Sequence, residues 1–377
     1  MPAFDGATPV GELVAYVDCV RAIPALRDDL VDLLAEQSPL YAGRGTAETE
    51  RIRGYLLASF ETTGLPSAAI DYVLEELESS WNPYTVAAAA KAMRGAEPIP
   101  ERTVALLIAA LKRIRLCDDF VSFERAPGDV TGRTATTALM EILRTLAWLG
   151  SRARPATAPL HAMMDRGAFS PAVRAEAENT ILAISGGEAP SAPRCCGNSA
   201  RVSVPVPAGR RCSSSSPVGG LKLEDQNGTI VTFDAFFRGR PSIATFFYTR
   251  CMNPEKCSLT VTKLARLQKR IRDQGLHGRV NIAAFTYDPA FDLPRRLRAY
   301  GSDRGMAFDA HNRMMRTTGP FEPLQQYFEL GVGYGTVTVN RHRTDLFILD
   351  AQGQPIFGVA RRLWDETEVL DRLKAAL

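Results

Sequence analysis

The chain has 377 residues, which is long enough for two or three domains of ordinary size. Its 45% apolar and 23% charged residues are the composition of an ordinary soluble protein and exclude a fibrous or wholly disordered chain. A formal net charge of +3 is small for this length, so the sequence lacks the excess of positive charge that is typical of proteins that bind nucleic acid or a membrane surface.

The N-terminal segment contains no export signal, because residues 1–30 lack a basic stretch followed by an apolar core. No run in the chain reaches the roughly 18 apolar residues of a membrane span. We therefore expect a cytoplasmic protein without a membrane span, unless an export segment was removed before the numbering begins. In a reducing cytosol its seven cysteines would be thiols that serve metals or redox turnover more often than structure.

Residues 1–185 have a helical pattern rich in alanine and leucine, with no strand signal of comparable strength. Cys19 and Cys117 lie within this pattern, and we interpret both as small, buried hydrophobic residues. The predicted helices cover Leu13–Val20, Leu30–Leu34, Ile52–Phe60, Ala68–Leu77, Val86–Met93, Val104–Leu116, Thr137–Leu149, Leu160–Met164 and Val173–Ile184.

A repeat runs through this helical region, because Pro83, Pro127 and Pro171 follow one another at intervals of 44 residues. That period lies in the range of HEAT and armadillo helix pairs, and the Pro-x-Val-Arg start of the last helix resembles a HEAT repeat. We predict an all-α, HEAT-like solenoid, with an irregular helical bundle as the alternative. The concave face of a solenoid is a common surface for a protein partner.

Residues 186–220 read as a linker between two domains, because they combine five prolines and Ser213–Ser216 with few aromatic residues. The segment also contains three cysteines, Cys195, Cys196 and Cys212. These thiols supply additional soft ligands or a resolving thiol to a site elsewhere, or they are incidental and exposed. The sequence leaves both interpretations open.

The predicted α/β domain, residues 221–377, begins with a hairpin in which Leu221–Leu223 pairs with Ile230–Val231 across an Asn-Gly turn. The strand Ile243–Tyr248 follows, and Cys251 and Cys257 come directly after it. Apolar residues with helical spacing begin at once after the second cysteine. A helix N-terminus favours thiolate over thiol, so this arrangement indicates reactive or metal-binding cysteines.

Further polar residues follow the predicted strands downstream. Val280–Phe285 reads as a second buried strand that leads into Asp288-Pro289 and then Asp292. His342 lies in a predicted loop just before an apolar strand, Asp345–Leu349. A closing helix is predicted in residues 364–377.

These residues together resemble the Sco/SenC family of copper-handling proteins, which have a thioredoxin-like fold. The family pattern is an aromatic strand ending in Tyr-Thr, two cysteines, an Asp-Pro, an Asp-x-Pro, and a histidine before the last central strand. The matching positions here are Tyr248-Thr249, Cys251, Cys257, Asp288-Pro289, Asp292, Pro294 and His342. The resemblance implies a copper site, Cu(I) or Cu(II), with Cys251, Cys257 and His342 as ligands.

The chain departs from the family at the cysteines. The family separates its cysteines by three residues and places proline after the second, whereas here five residues intervene and Ser258 follows. The conformation of this longer loop is therefore not inherited from the family. Two cysteines and a histidine still converge in principle, and the coordination and the ease of closing a disulfide depend on the loop.

Three classes of function are compatible with these residues. The resemblance implies copper carriage or insertion, with the helical domain binding a partner, although zinc accepts the same ligands. Alternatively, the protein is a thiol-disulfide oxidoreductase or thiol peroxidase. In that case Cys251 is the thiolate that attacks the substrate, and Cys257 is the resolving thiol. The third class is a non-catalytic interaction protein with a vestigial site. Whether any reaction is catalysed is left open.

Overall fold

The computed structural model describes residues 2–123, 135–167, 169–186 and 217–377. They form two compact units, an N-terminal helical unit that also includes Gly333–Asn340 and a C-terminal α/β unit. Pro127 of the 44-residue series lies outside the described residues, as do Cys195, Cys196 and Cys212 of the predicted linker. No helix within the described ranges is long and apolar enough to cross a membrane.

Each predicted helical segment overlaps one helix of the N-terminal unit. Pro83 and Pro171 occupy the first position of their helices, where a missing N–H costs no hydrogen bond. The helices are α1 (Val10–Ala22), α2 (Asp29–Leu34), α3 (Thr46–Thr63), α4 (Ile70–Ser79), α5 (Pro83–Ala92), α6 (Thr103–Ile114), α7 (Ala138–Leu149), α8 (Thr157–Asp165) and α9 (Pro171–Gly186).

Alternate helices pack against each other in this unit: α3 against α5, α5 against α7, α7 against α9, and α4 against α6. The run Ala87–Ala90 on α5 is fully buried, and such small side chains allow neighbouring helices to approach closely. Packing restricted to near neighbours in sequence is the arrangement expected of stacked helix pairs. The assignment to HEAT-like repeats stays a prediction.

A buried charge cluster joins α3 to its neighbours. Arg53 is fully buried, and its Nη2 lies 3.6 Å from Glu36 Oε1 and 3.7 Å from Glu76 Oε1. Its Nη1 donates to the carbonyl of Leu34. Two buried carboxylates therefore share one guanidinium, and a charge taken out of water is tolerated only when such partners are present.

The prediction that Cys19 and Cys117 are buried is wrong, because both side chains are exposed. On α1, Cys19 lies two residues after the buried Val17, which places the two on opposite sides of a helix with 3.6 residues per turn. Cys117 lies beyond the end of α6 at Ile114.

The α/β unit is built on a seven-stranded mixed sheet in the order β2-β1-β5-β4-β3-β8-β9. The central strands β3, β4 and β5 are parallel, and β8 runs antiparallel to β3. The strands of this sheet are β1 (Lys222–Asp225), β2 (Ile230–Thr232), β3 (Ser242–Phe247), β4 (Asn281–Thr286), β5 (Asn312–Thr317), β8 (Asp345–Leu349) and β9 (Pro355–Ala360). The helices of this unit are α10 (Phe233–Phe237), α11 (Leu259–Asp273), α12 (Pro294–Ser302), α13 (Glu322–Tyr327) and α14 (Glu366–Lys374).

Both faces of the central strand β3 are covered, because neighbouring side chains point to opposite faces of a sheet. Phe247 packs into a core with residues of α11 and α14, such as Leu264 and Leu370. Phe246 points the other way and stacks on Phe285, with 5.5 Å between ring centroids. The strand is thus held rigidly up to the point where the chain turns towards Cys251.

The predicted hairpin and central strands are confirmed in position and order. The hairpin pairs β1 with β2, and Gly228 adopts a positive φ of 81° in its turn. The loop predicted around His342 is wrong, because Val339–His342 forms a short strand, β7, which pairs with β6 (Val332–Tyr334). The prediction was based on the apolar run that follows His342. It did not include β6, the strand that precedes the histidine in the chain and pairs with β7.

Most residues of the β6–β7 pair belong to the helical unit, which includes Gly333–Asn340. Asn340 Nδ2 donates to the carbonyls of Tyr41 and Arg44, at 2.8 and 2.9 Å, and the Gly43 N–H donates to the Tyr334 carbonyl. A Cβ on Gly333 would lie 2.3 Å from the Glu36 carbonyl oxygen, so only glycine fits there.

Candidate metal and thiol site

Three elements of the α/β unit bring Cys251, Cys257 and His342 together. Cys251 follows the end of β3, and Cys257 lies in a kinked turn, Pro254–Ser258, that leads directly into α11. His342 ends β7, three residues before β8 begins at Asp345. Since β8 pairs with β3, the chain segments that precede β8 and follow β3 meet at the same edge of the sheet.

The three side chains converge on one point. The Nε2 atom of His342 lies 3.5 Å from Cys251 Sγ and 3.5 Å from Cys257 Sγ. All three atoms lie within 4.8 Å of one another, and this is the one group of three or more His, Cys, Asp or Glu ligands found among the described residues. Cys257 and His342 are buried, whereas Cys251 is partly accessible. The arrangement can hold a metal ion, and Cys251 is its most accessible side chain.

The imidazole of His342 is held in one orientation. Its Nδ1 lies 3.0 Å from the Arg343 carbonyl oxygen, to which an Nδ1–H donates. This contact directs Nε2 at the two sulfurs, where a protonated Nε2 donates to a thiolate and an unprotonated Nε2 offers its lone pair to a metal. The rings of Tyr248 and Tyr287 pack against the imidazole, with centroids 5.3 and 5.5 Å away.

Two aspartates hold the segment that carries Cys251. The buried Asp292 carboxylate accepts hydrogen bonds from the Thr249 N–H at 3.1 Å and from the hydroxyls of Thr249 and Thr286. Asp288 pairs with Arg250, whose Nε lies 3.1 Å from the carboxylate. The two residues before Cys251 are therefore each tied to the loop after β4, which is the physical reason for both aspartates in the sequence pattern.

The two thiols have opposite electrostatic environments. A hydrogen bond from Cys257 holds the pKa of Cys251 well below its ordinary range, against the effect of burial, and His342 lowers it further. Burial raises the pKa of Cys257 well above its ordinary range, and the neighbouring Cys251 raises it further. These opposite shifts favour a Cys251 thiolate beside a protonated Cys257.

We expect Cys251 to react with iodoacetamide almost equally fast at pH 6 and pH 8, since its lowered pKa keeps it a thiolate at both values. An ordinary peptide thiol, with a pKa of about 8.5, slows by roughly a hundredfold over the same interval. Peptide mass spectrometry of the labelled protein measures both rates, with Cys257 unlabelled because it is buried. A Cys251 rate that falls in parallel with the peptide thiol would contradict the assigned charge.

Sequence reasoning missed two residues of the site. Tyr287 was assigned no role, yet its side chain is fully buried and its ring packs against His342. Lys256 lies between the two cysteines and was assigned no role, yet its Nζ donates to the His342 carbonyl at 3.0 Å. The extended cysteine spacing was the available signal, because a longer loop has room for a residue that turns inward.

Comparison with known proteins locates one family on this part of the chain. The SCO1/SenC family model matches residues 214–377. Residues 214–377 belong to the SCO1/SenC family. The unit that they form has the α/β thioredoxin-like fold that the sequence resemblance implied. No curated protein sequence matches the chain significantly.

Several solved Sco structures are similar to the SCO1/SenC unit. A SCO1/SenC family lipoprotein from Bacillus anthracis is 19% identical over 41% of this chain and 91% of its own, with a TM-score of 0.36. ScoI of Bradyrhizobium japonicum, solved with copper bound, is 23% identical over 42% of this chain and 99% of its own, with a TM-score of 0.33. Yeast Sco1 is 21% identical over 43% of this chain and 99% of its own, with a TM-score of 0.31.

Proposed function

We propose that the SCO1/SenC unit binds one copper ion through Cys251 Sγ, Cys257 Sγ and His342 Nε2, and that it carries or inserts this copper as cargo. The observation that carries the proposal is the position of both sulfurs at 3.5 Å from the same imidazole nitrogen. Two thiolates and one imidazole form a soft set of few ligands, which suits Cu(I). The family match supports the same function.

The spacing of the ligand atoms fits a single metal ion. Metal–sulfur bonds of about 2.3 Å and metal–nitrogen bonds of about 2.0 Å place the sulfur and nitrogen roughly 3.5 Å apart at a tetrahedral angle. The two sulfur–nitrogen distances in the site have this value without any movement of the chain. These distances support binding of one ion to all three atoms, and such binding would displace any thiol proton on the cysteines.

Zinc accepts the same three ligands, with a water molecule as the fourth. The experiment is metal analysis of protein purified without added metal, followed by titration of the reduced protein with Cu(I) in the presence of excess Zn²⁺. We expect one Cu(I) per chain, unchanged when Cys195, Cys196 and Cys212 are all replaced by serine. The proposal fails if Cu(I) does not bind, if zinc displaces it, or if the triple substitution removes the site.

Thiol–disulfide exchange is the second candidate, and it is favoured by two adjacent cysteines whose pKa values are shifted in opposite directions, down for Cys251 and up for Cys257. The thiolate would attack one sulfur of a substrate disulfide and release the other as a thiolate. Cys257, on losing its proton, would then attack Cys251 and release the second substrate thiol, leaving a Cys251–Cys257 disulfide. Turnover of a model disulfide or of a peroxide, with Cys251 essential and no copper bound, would support this function in place of copper carriage.

The helical unit is the part of the chain for which we propose partner binding. Trp148 on α7 and Leu182 on α9 are large apolar side chains that are 45% and 70% exposed, and aromatic residues such as Trp148 are enriched at protein–protein interfaces. This role rests on surface composition and stays a prediction. The partner of a copper carrier would be a protein that donates or receives the ion.

A further inference from the structure

Lys256 is a buried lysine that precedes the ligand candidate Cys257 and contacts the backbone of His342, and it has no role in the proposed function. It is only 6% exposed, and a buried ammonium group is costly unless charges or dipoles compensate it. Its backbone (φ −109°, ψ −105°) interrupts the helical turn that contains Cys257. The side chain turns inward and donates to the His342 carbonyl at 3.0 Å. One lysine thus connects the turn that carries one ligand to the strand that carries another.

This lysine belongs to the part of the chain that departs from the family. Five residues separate the cysteines instead of three, and they form the turn in which Lys256 lies. The turn is closed locally, because Asn253 Oδ1 accepts from the Glu255 N–H at 2.9 Å and the Lys256 N–H donates to the Asn253 carbonyl at 3.2 Å. The five residues between the cysteines therefore form an ordered turn, and from it the Lys256 ammonium group reaches the backbone carbonyl of His342.

We propose that Lys256 is a positioning and charge-compensating residue that makes the site selective for Cu(I) over Cu(II). This inference rests on the proposed copper function. With two thiolates and a neutral imidazole, the Cu(I) complex carries a net charge of −1 and the Cu(II) complex is neutral. A nearby ammonium group stabilises the negative complex more than the neutral one, because it is held in a buried environment where charge interactions are strong. Its hydrogen bond to the His342 carbonyl also fixes the strand that presents Nε2.

The test compares Lys256→Met, which removes the charge and the donor at similar length, with Lys256→Gln, which keeps a donor but not the charge. We expect both variants to lose about tenfold more affinity for Cu(I) than for Cu(II). A tenfold differential loss lowers the Cu(II)/Cu(I) potential by about 59 mV. Lys256→Arg retains the charge and should keep a potential close to that of the wild type. Competition titrations with a Cu(I) chelator and potentiometry provide the two readouts.

Lys269→Gln is the matched control, because Lys269 is an exposed lysine on α11 and its loss changes the net charge equally. It should leave both affinities unchanged. The inference is overturned if Lys256→Met and Lys256→Gln bind Cu(I) and Cu(II) like the wild type. If Lys256→Met loses Cu(I) affinity and Lys256→Gln does not, a hydrogen-bond donor at this position is enough for Cu(I) binding and the charge is not needed. That result overturns the proposed selectivity. If Lys256→Met does not fold, Lys256→Gln decides the outcome. A wild-type protein that binds no copper would instead overturn the proposed function, and this inference with it.

Discussion

Cys251→Ser and Cys257→Ser proteins are each expected to lose Cu(I) binding almost completely, with affinity reduced by at least about a thousandfold. A hydroxyl is a hard donor that does not ionise at neutral pH, so it does not replace a thiolate as a ligand for a soft ion. His342→Ala should weaken Cu(I) binding less, because two thiolates alone hold Cu(I) in a linear arrangement. The same change should weaken Cu(II) binding more. Chelator competition on reduced protein measures all three.

Two variants serve as matched controls for the ligand substitutions. Cys19→Ser removes an exposed thiol in the helical unit, and His277→Ala removes an exposed imidazole in the α/β unit. Both should keep one Cu(I) per chain at wild-type affinity, and circular dichroism should show that every variant is folded. Full copper stoichiometry and affinity in the Cys251→Ser protein would rule out the assigned site.

Arg53→Met is expected to destabilise the helical unit by about 3–5 kcal/mol, because it removes a buried guanidinium that lies beside the buried carboxylates of Glu36 and Glu76. Urea unfolding followed by tryptophan fluorescence measures the change. The chain has three tryptophans, and a Trp364→Phe background leaves only Trp81 and Trp148, both in the helical unit, to report.

The control for this prediction is Arg51→Met, since Arg51 lies on the same helix but is exposed, and it should change the stability by less than about 0.5 kcal/mol. Adding Glu36→Gln and Glu76→Gln to the Arg53→Met protein should restore much of the loss, because neutral amides are cheaper to bury than charged groups. Equal stabilities for Arg53→Met and Arg51→Met would show that the cluster contributes nothing.

Local sequence patterns were sufficient to locate the elements that carry the site. Helical periodicity predicted the helices of the N-terminal unit, and the apolar runs predicted β3, β4 and β8. Such patterns are informative because burial of one face requires a fixed spacing of apolar residues. They were less reliable for single residues, as the exposed Cys19 shows, because a cysteine suits either face of a helix.

The sequence by itself determined that two cysteines follow one central strand and that a histidine precedes another, together with the family to which this arrangement belongs. Only the tertiary structure decided that Cys251, Cys257 and His342 meet, since this depends on β8 pairing with β3 over about a hundred residues of chain. It also set the opposite directions in which the pKa values of Cys251 and Cys257 are shifted, because burial and hydrogen bonds depend on the surroundings of each sulfur. The tertiary structure also decided that the Lys256 side chain is buried, because its position depends on the contact with the His342 carbonyl on β7 and not on its neighbours in sequence.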